Sequence, residues 1–126
     1  MRYLLDTHSL LWWLGELPQL GPRAQAEISR PGSTVYVSAV SSAEISIKQA
    51  VGKLRAPSDL AGQLVVNGFT ELPFTIAHGL AVAKLPLRHR DPFDRMLIAQ
   101  AQTEGLTLVT ADRQIAEYDI SVLPTS

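Results

Sequence analysis

The stretch PFDRMLIAQAQTEGLTLVTAD, Pro92 to Asp112, decides the fold. Pro92 stands at a first helical position, where its missing N–H costs nothing. Phe93, Met96, Leu97 and Ala101 then recur at helical spacing as one apolar stripe. Gly105 ends that helix, which spans Pro92 to Glu104. Leu106 to Val109 follows as a short, β-rich apolar strand, with Asp112 just past its end. A helix feeding a buried strand, followed by an acid at the strand's exit, is a unit of a parallel α/β sheet.

The alternation extends in both directions. Upstream, Arg2 to Leu5 reads as a buried strand ending at Asp6, and His8 to Leu14 as a short helix. Pro22 to Arg30 is helical, Thr34 to Val37 a second strand, and Ser41 to Val51 a helix capped by Gly52. Pro57 to Asn67 predicts a helix, Phe69 to Phe74 a third strand, and Ile76 to Leu85 a helix stopped by Pro86. Downstream, Asp112 to Tyr118 reads as a short helix and Ile120 to Leu123 as a fifth strand. Strands alternating with helices predict a three-layer α/β/α domain, a parallel sheet covered on both faces. The 126 residues fit a single domain, 1–126, without repeats or linkers.

Composition narrows the chemistry. There is no cysteine, which excludes disulfides, thiolate zinc sites and cysteine nucleophiles and fits a cytoplasmic protein. The first residues lack the apolar h-region of a signal peptide, and no stretch approaches the roughly 20 apolar residues of a membrane span. The net charge of −1 argues against a globally basic nucleic-acid binder. No Gly-x-Ser-x-Gly elbow or phosphate-binding glycine loop is present. His8, His78 and His89 form no metal-ligand spacing and read as surface or capping residues.

Four acids carry the functional signal, although each has a structural explanation. Asp6 follows the first strand and can cap the next helix. Glu44 follows Ser41 in a Ser-x-x-Glu capping box. Asp94 lies in a helical first turn, favoured by the helix dipole, but Asp91 suffices as the cap there. Asp112 can cap the helix expected after it, and Thr110 stands ready to donate a hydrogen bond to a carboxylate or a water. Jointly they are harder to dismiss. Each falls at a strand exit or a helix start, and in a parallel doubly wound sheet those share one edge. Converging carboxylates require protonation or a cation, and an oxygen-only ligand set selects Mg²⁺, Mn²⁺ or Ca²⁺. Arg90, Arg95 and Arg113 flank these acids, where they either hold RNA phosphates or form a solvated rim.

The segments Leu4-Leu5-Asp6-Thr7-His8, Ser38 to Lys48 with Ala43-Glu44-Ile45, Arg90 to Ala99 with Asp91-Pro92-Phe93-Asp94-Arg95, and Leu108-Val109-Thr110-Ala111-Asp112 together resemble a PIN domain of the VapC toxin type. The similarity spans almost the whole chain, and Gly52-Lys53-Leu54 resembles the subgroup carrying Asp-Pro-Phe-Asp-Arg. The resemblance implies sheet order 3-2-1-4-5 and a catalytic, metal-binding quartet of Asp6, Glu44, Asp94 and Asp112. It implies RNA phosphodiester hydrolysis with Mg²⁺ or Mn²⁺, a homodimer, and inhibition by a cognate antitoxin. Asp91 and Thr110 are then auxiliary. A non-catalytic PIN-like module that grips a partner protein is the alternative. A receiver domain would need an acid after the third strand, where Leu72-Pro73-Phe74-Thr75 has none.

Overall fold

Leu4 and Leu108 are wholly buried on one side of a sheet, while Tyr3, Leu5 and Val109 are buried on the other. That alternation within apolar strands requires cover on both faces. The computed structural model, which describes residues Met1 to Ser126 throughout, supplies it. Strands β1 (Arg2–Leu5), β2 (Thr34–Ser38), β3 (Thr70–Leu72), β4 (Thr107–Thr110) and β5 (Val122–Pro124) pair in parallel, in the order β3-β2-β1-β4-β5. The expected order 3-2-1-4-5 is the observed one.

Helices α1 (Thr7–Leu14), α2 (Pro22–Ser29), α3 (Ala39–Ala50), α4 (Leu60–Val66), α5 (Ile76–Val82) and α6 (Pro92–Glu104) complete the layers. Leu10, Leu20, Ala24 and Ile28 pack on one face with Val35 and Val37. On the other face Leu97, Ile98 and Ala101 of α6 pack with Leu85, Ile115 and Tyr118. Helix α3 straddles the two cores, sending Val40 to one and Ile45 to the other. Truncating a wholly buried Leu97 or Leu108 to Ala costs about 2–5 kcal/mol.

Several boundaries move. Helix α3 begins at Ala39, capped by Ser38, whose hydroxyl accepts from Val40 N–H. Ser41 is already inside the helix, so the Ser41–Glu44 capping box does not form. Helix α4 starts late because Asp59, not Pro57, meets its first turn, accepting from Gly62 N–H. Helix α5 stops at Val82 rather than Leu85, and β3 ends before Pro73, which has no N–H for the ladder. Strand β5 lies two residues later than its apolar run suggests. The expected helix over 112–118 is only a 3₁₀ turn, Ile115–Glu117. Gly52 does follow α3 with φ +71, the left-handed conformation expected of a helix-ending glycine. Trp12 and Trp13, adjacent on α1, are both half-buried, and the Trp13 indole donates to Asn67.

Candidate metal centre

Register sets the level of the site. Leu5 pairs with Val37 on one side and Val109 on the other, so Asp6, Ser38 and Thr110 emerge together at the sheet's C-terminal edge. Asp6 N–H donates to the Val109 carbonyl at 3.1 Å, continuing the ladder by one bond. The Asp6 side chain caps α1, accepting from Ser9 N–H at 2.8 Å, and is only 6% exposed. Burial raises its pKa, opposed by hydrogen bonds from Ser9 and Thr110.

Glu44 reaches the same place from α3. It is 3% exposed, and both its oxygens are occupied. One accepts from the Thr7 hydroxyl at 2.6 Å; the other accepts from the Lys48 ammonium at 2.5 Å. Thr7 also lies 3.0 Å from the Ser41 hydroxyl. Glu44 therefore hangs from α1 and α3 at once, and its buried charge faces a cation.

Asp94 comes from the first turn of α6. Asp91 caps that helix alone, accepting from Phe93 and Asp94 N–H at 2.9 and 3.2 Å. The Asp94 carboxylate is thus spare as a cap, and it meets His89 at 3.2 Å. Burial, then the charge of Asp91, push its pKa up to about 7; Asp6 and Glu44 add to this and His89 opposes it. Asp112 approaches across β4. Its backbone N–H donates to the Thr110 hydroxyl, one carboxylate oxygen accepts from Gln114 N–H at 2.9 Å, and the other meets His89.

His89 is the member that sequence spacing did not reveal. Its Nε2 lies 2.7 Å from Asp112 and 3.2 Å from Asp94. Its Nδ1 accepts from Asp91 N–H at 3.1 Å. Accepting at Nδ1 places the ring proton on Nε2, so the imidazole donates to Asp112 and, more weakly, to Asp94. His89, Asp94 and Asp112 offer ligand atoms within 4.8 Å of one another. A histidine paired with an acid 23 positions downstream leaves no local spacing to read. The one available signal was its place in the loop before Asp91. His78, by contrast, does cap a helix, completing a capping box with Thr75 at the start of α5.

The three flanking arginines part company. The Arg95 guanidinium donates to the carbonyls of Val82, Leu85, Pro86 and His89. It holds the loop between α5 and α6, which engages both of its terminal nitrogens. Arg90 and Arg113 are exposed.

With five parallel strands in this order and acids from four elements at one edge, comparison with known proteins becomes decisive. Residues 3–121 match the family model of the PIN domain. The chain belongs to the PIN domain family. Its fold is similar to that of a VapBC2 complex from Rickettsia felis bound to a promoter DNA fragment, with TM-score 0.73, 16% identity and 98% of each chain covered. DNA-bound VapBC from Salmonella typhimurium gives TM-score 0.69 at 18% identity, covering 100% of this chain and 99% of that one. VapBC-1 from nontypeable Haemophilus influenzae gives 0.66 at 18%, covering 99% and 98%. A search of curated proteins returns no match.

Proposed function

We propose that this PIN domain is a Mg²⁺- or Mn²⁺-dependent endoribonuclease and the toxin of a toxin–antitoxin pair. The observation that carries this reading is the gathering of Asp6, Glu44, Asp94 and Asp112 at one sheet edge, where burial and then the charge of Asp91 push the Asp94 pKa up to about 7. Like charges gathered in a partly buried site are what a bound divalent ion would relieve. The donor set is rich in carboxylate oxygen, which suits a hard divalent ion.

In this reading Asp6 and Asp94 bind the ion most directly, and Glu44 and Asp112 complete the site directly or through water. A bound ion supplies a water of lowered pKa and neutralises charge developing on the phosphate. The chain's own residues do the rest. Thr7 and Ser9 hold Glu44 and Asp6 at fixed angles, and Thr110 orders the backbone that presents Asp112. His89 fixes the spacing of Asp94 and Asp112. Arg90 and Arg113, exposed beside the acids in sequence, hold RNA phosphates.

A protein antitoxin is supported by the kinship in fold with VapBC complexes. A groove of about 420 Å³ lined by Trp12, Trp13, Leu20 and Val66 is a surface for it. Homodimerisation is supported by Ile76, Leu80 and Leu87, which lie 68–84% exposed on α5 and the loop beyond it. No helix is long and apolar enough to cross a membrane, in keeping with the cytoplasmic site of action that this reading requires.

The test is RNA cleavage by purified protein with and without Mn²⁺, beside Asp94→Asn. Cleavage that needs Mn²⁺ and is lost in the variant supports the reading. Full activity in Asp94→Asn sinks the site, and failure of Mn²⁺ to raise the melting temperature favours a protein-binding module.

A further inference from the structure

Lys48 lies in the acidic centre but has no part in the quartet. It stands one turn after Glu44 on α3, with its ammonium 2.5 Å from a Glu44 oxygen. The same nitrogen lies 5.8 Å from the ring centroid of Phe93, in the first turn of α6. The side chain therefore crosses from α3 to the helix start that carries Asp94, and the charges of Asp91 and Asp94 both act on it. The Lys48 side chain is 30% exposed and that of Glu44 only 4%, so the ammonium stands on the solvent side of the carboxylate.

Glu44 differs from Asp6, Asp94 and Asp112 in being paired with a lysine. The Thr7 hydroxyl fills one of its oxygens and Lys48 the other. Asp94 receives only the longer share of the His89 proton. An ion approaching Glu44 from the solvent side thus meets an ammonium already on that oxygen, while the other oxygen is held by Thr7, itself buried. Of the two, Lys48 is the one free to leave, being half-buried on a flexible stem.

We propose that Lys48 is a resident counter-ion of this centre, holding Glu44 until it is released to take up a divalent ion, so that ion and ammonium compete for one carboxylate oxygen. This rests on reading the quartet as a cation site. Lys48 would then act as a positioning residue that sets how much free metal the domain needs before it is loaded, and that keeps Glu44 in place meanwhile.

The test is Mn²⁺ binding to the full chain at one fixed pH, followed by calorimetry and by the loss of the free-Mn²⁺ spin-resonance signal. The variants are Lys48→Met, Glu44→Gln, the double variant and Lys48→Arg. Lys48→Met should bind Mn²⁺ about tenfold more tightly, within the range of coupling between contacting groups. In the Glu44→Gln background the same substitution should change affinity less than about twofold, because the shared oxygen is gone. Lys48→Arg, which keeps charge and stem, should stay near wild type and serves as the folding control. Unchanged or weaker binding by Lys48→Met overturns the proposal. An equal gain in the Glu44→Gln background also overturns it, since that would be a general field effect. Wild-type protein that binds no Mn²⁺ overturns the cation site itself, an outcome distinct from a wild type that binds and a Lys48→Met that binds no better.

Discussion

The two ends of α6 treat buried polar groups in opposite ways. Near its C-terminal end, Gln100 is wholly buried, accepts from the Ser38 hydroxyl, and donates to the Pro73 carbonyl and towards His78. His78 in turn meets Glu104 at 2.8 Å and accepts from Thr75 N–H. Every group there is answered by a partner of opposite polarity. At the N-terminal end, burial and then the charges of Asp91, Asp6 and Glu44 push the Asp94 pKa up to about 7, against the pull of His89. The first arrangement joins β2, α3, α5 and α6 and stabilises the fold. The second costs stability, and the proposed function places the ligand there, at the sheet's C-terminal edge.

The comparison predicts its own breaking points. The largest effect should come from the acidic end: Asp6→Asn should lower Mn²⁺-dependent RNA cleavage by about 10²–10³-fold, while the melting temperature holds. A variant that cleaves normally would place Asp6 with the caps instead. Next, Gln100→Ala should destabilise the domain by about 3 kcal/mol in urea unfolding, because Ser38 and Pro73 lose a buried partner. Its Mn²⁺ affinity should be unchanged if the two ends of α6 are separate. A loss of metal binding on that change would join them.

The third effect depends on pH. Folded Asp94 keeps a proton to about pH 7, while the unfolded chain loses it near pH 3.9. Between those values the folded state holds more protons, so the stability of the ion-free protein falls as pH rises through this window. Asp94→Asn removes that loss. It should gain about 2 kcal/mol over wild type at pH 8, about half the unscreened value, and nothing near pH 3. Equal stability of the two proteins at pH 8 would show that burial and the neighbouring charges do not hold a proton on Asp94. The smallest effect separates the arginines. Arg90→Ala should lower the salt slope of RNA binding by about 1 with no change in melting temperature. Arg95→Ala should do the reverse, lowering stability and leaving the slope alone.

Much of the site was legible because capping and ligation want the same positions. Helix starts favour acids through free N–H groups and the dipole, and strand exits aim them at one edge. Asp6, Asp91, Asp94 and Asp112 could therefore be found by their relation to local elements. Glu44 was found for a partly wrong reason. The cap is Ser38, and Glu44 sits deeper in α3, where Thr7 and Lys48 define it. The partners of Arg95 were not legible, because they are carbonyls of a loop whose path is not a local property.

By itself, then, the sequence determined the element order, the parallel sheet with two cores, and the edge on which the acids fall, since these follow from periodicity, from residues that start and stop helices, and from the handful of topologies open to alternating strands and helices. Only the tertiary structure decided who faces whom. It brought His89 between Asp94 and Asp112, set the Lys48 ammonium on Glu44 across from Phe93, and turned Arg95 inward. Those pairings join residues whose separation along the chain is arbitrary, and the packing of α3 and α6 on one sheet is what fixes their distances.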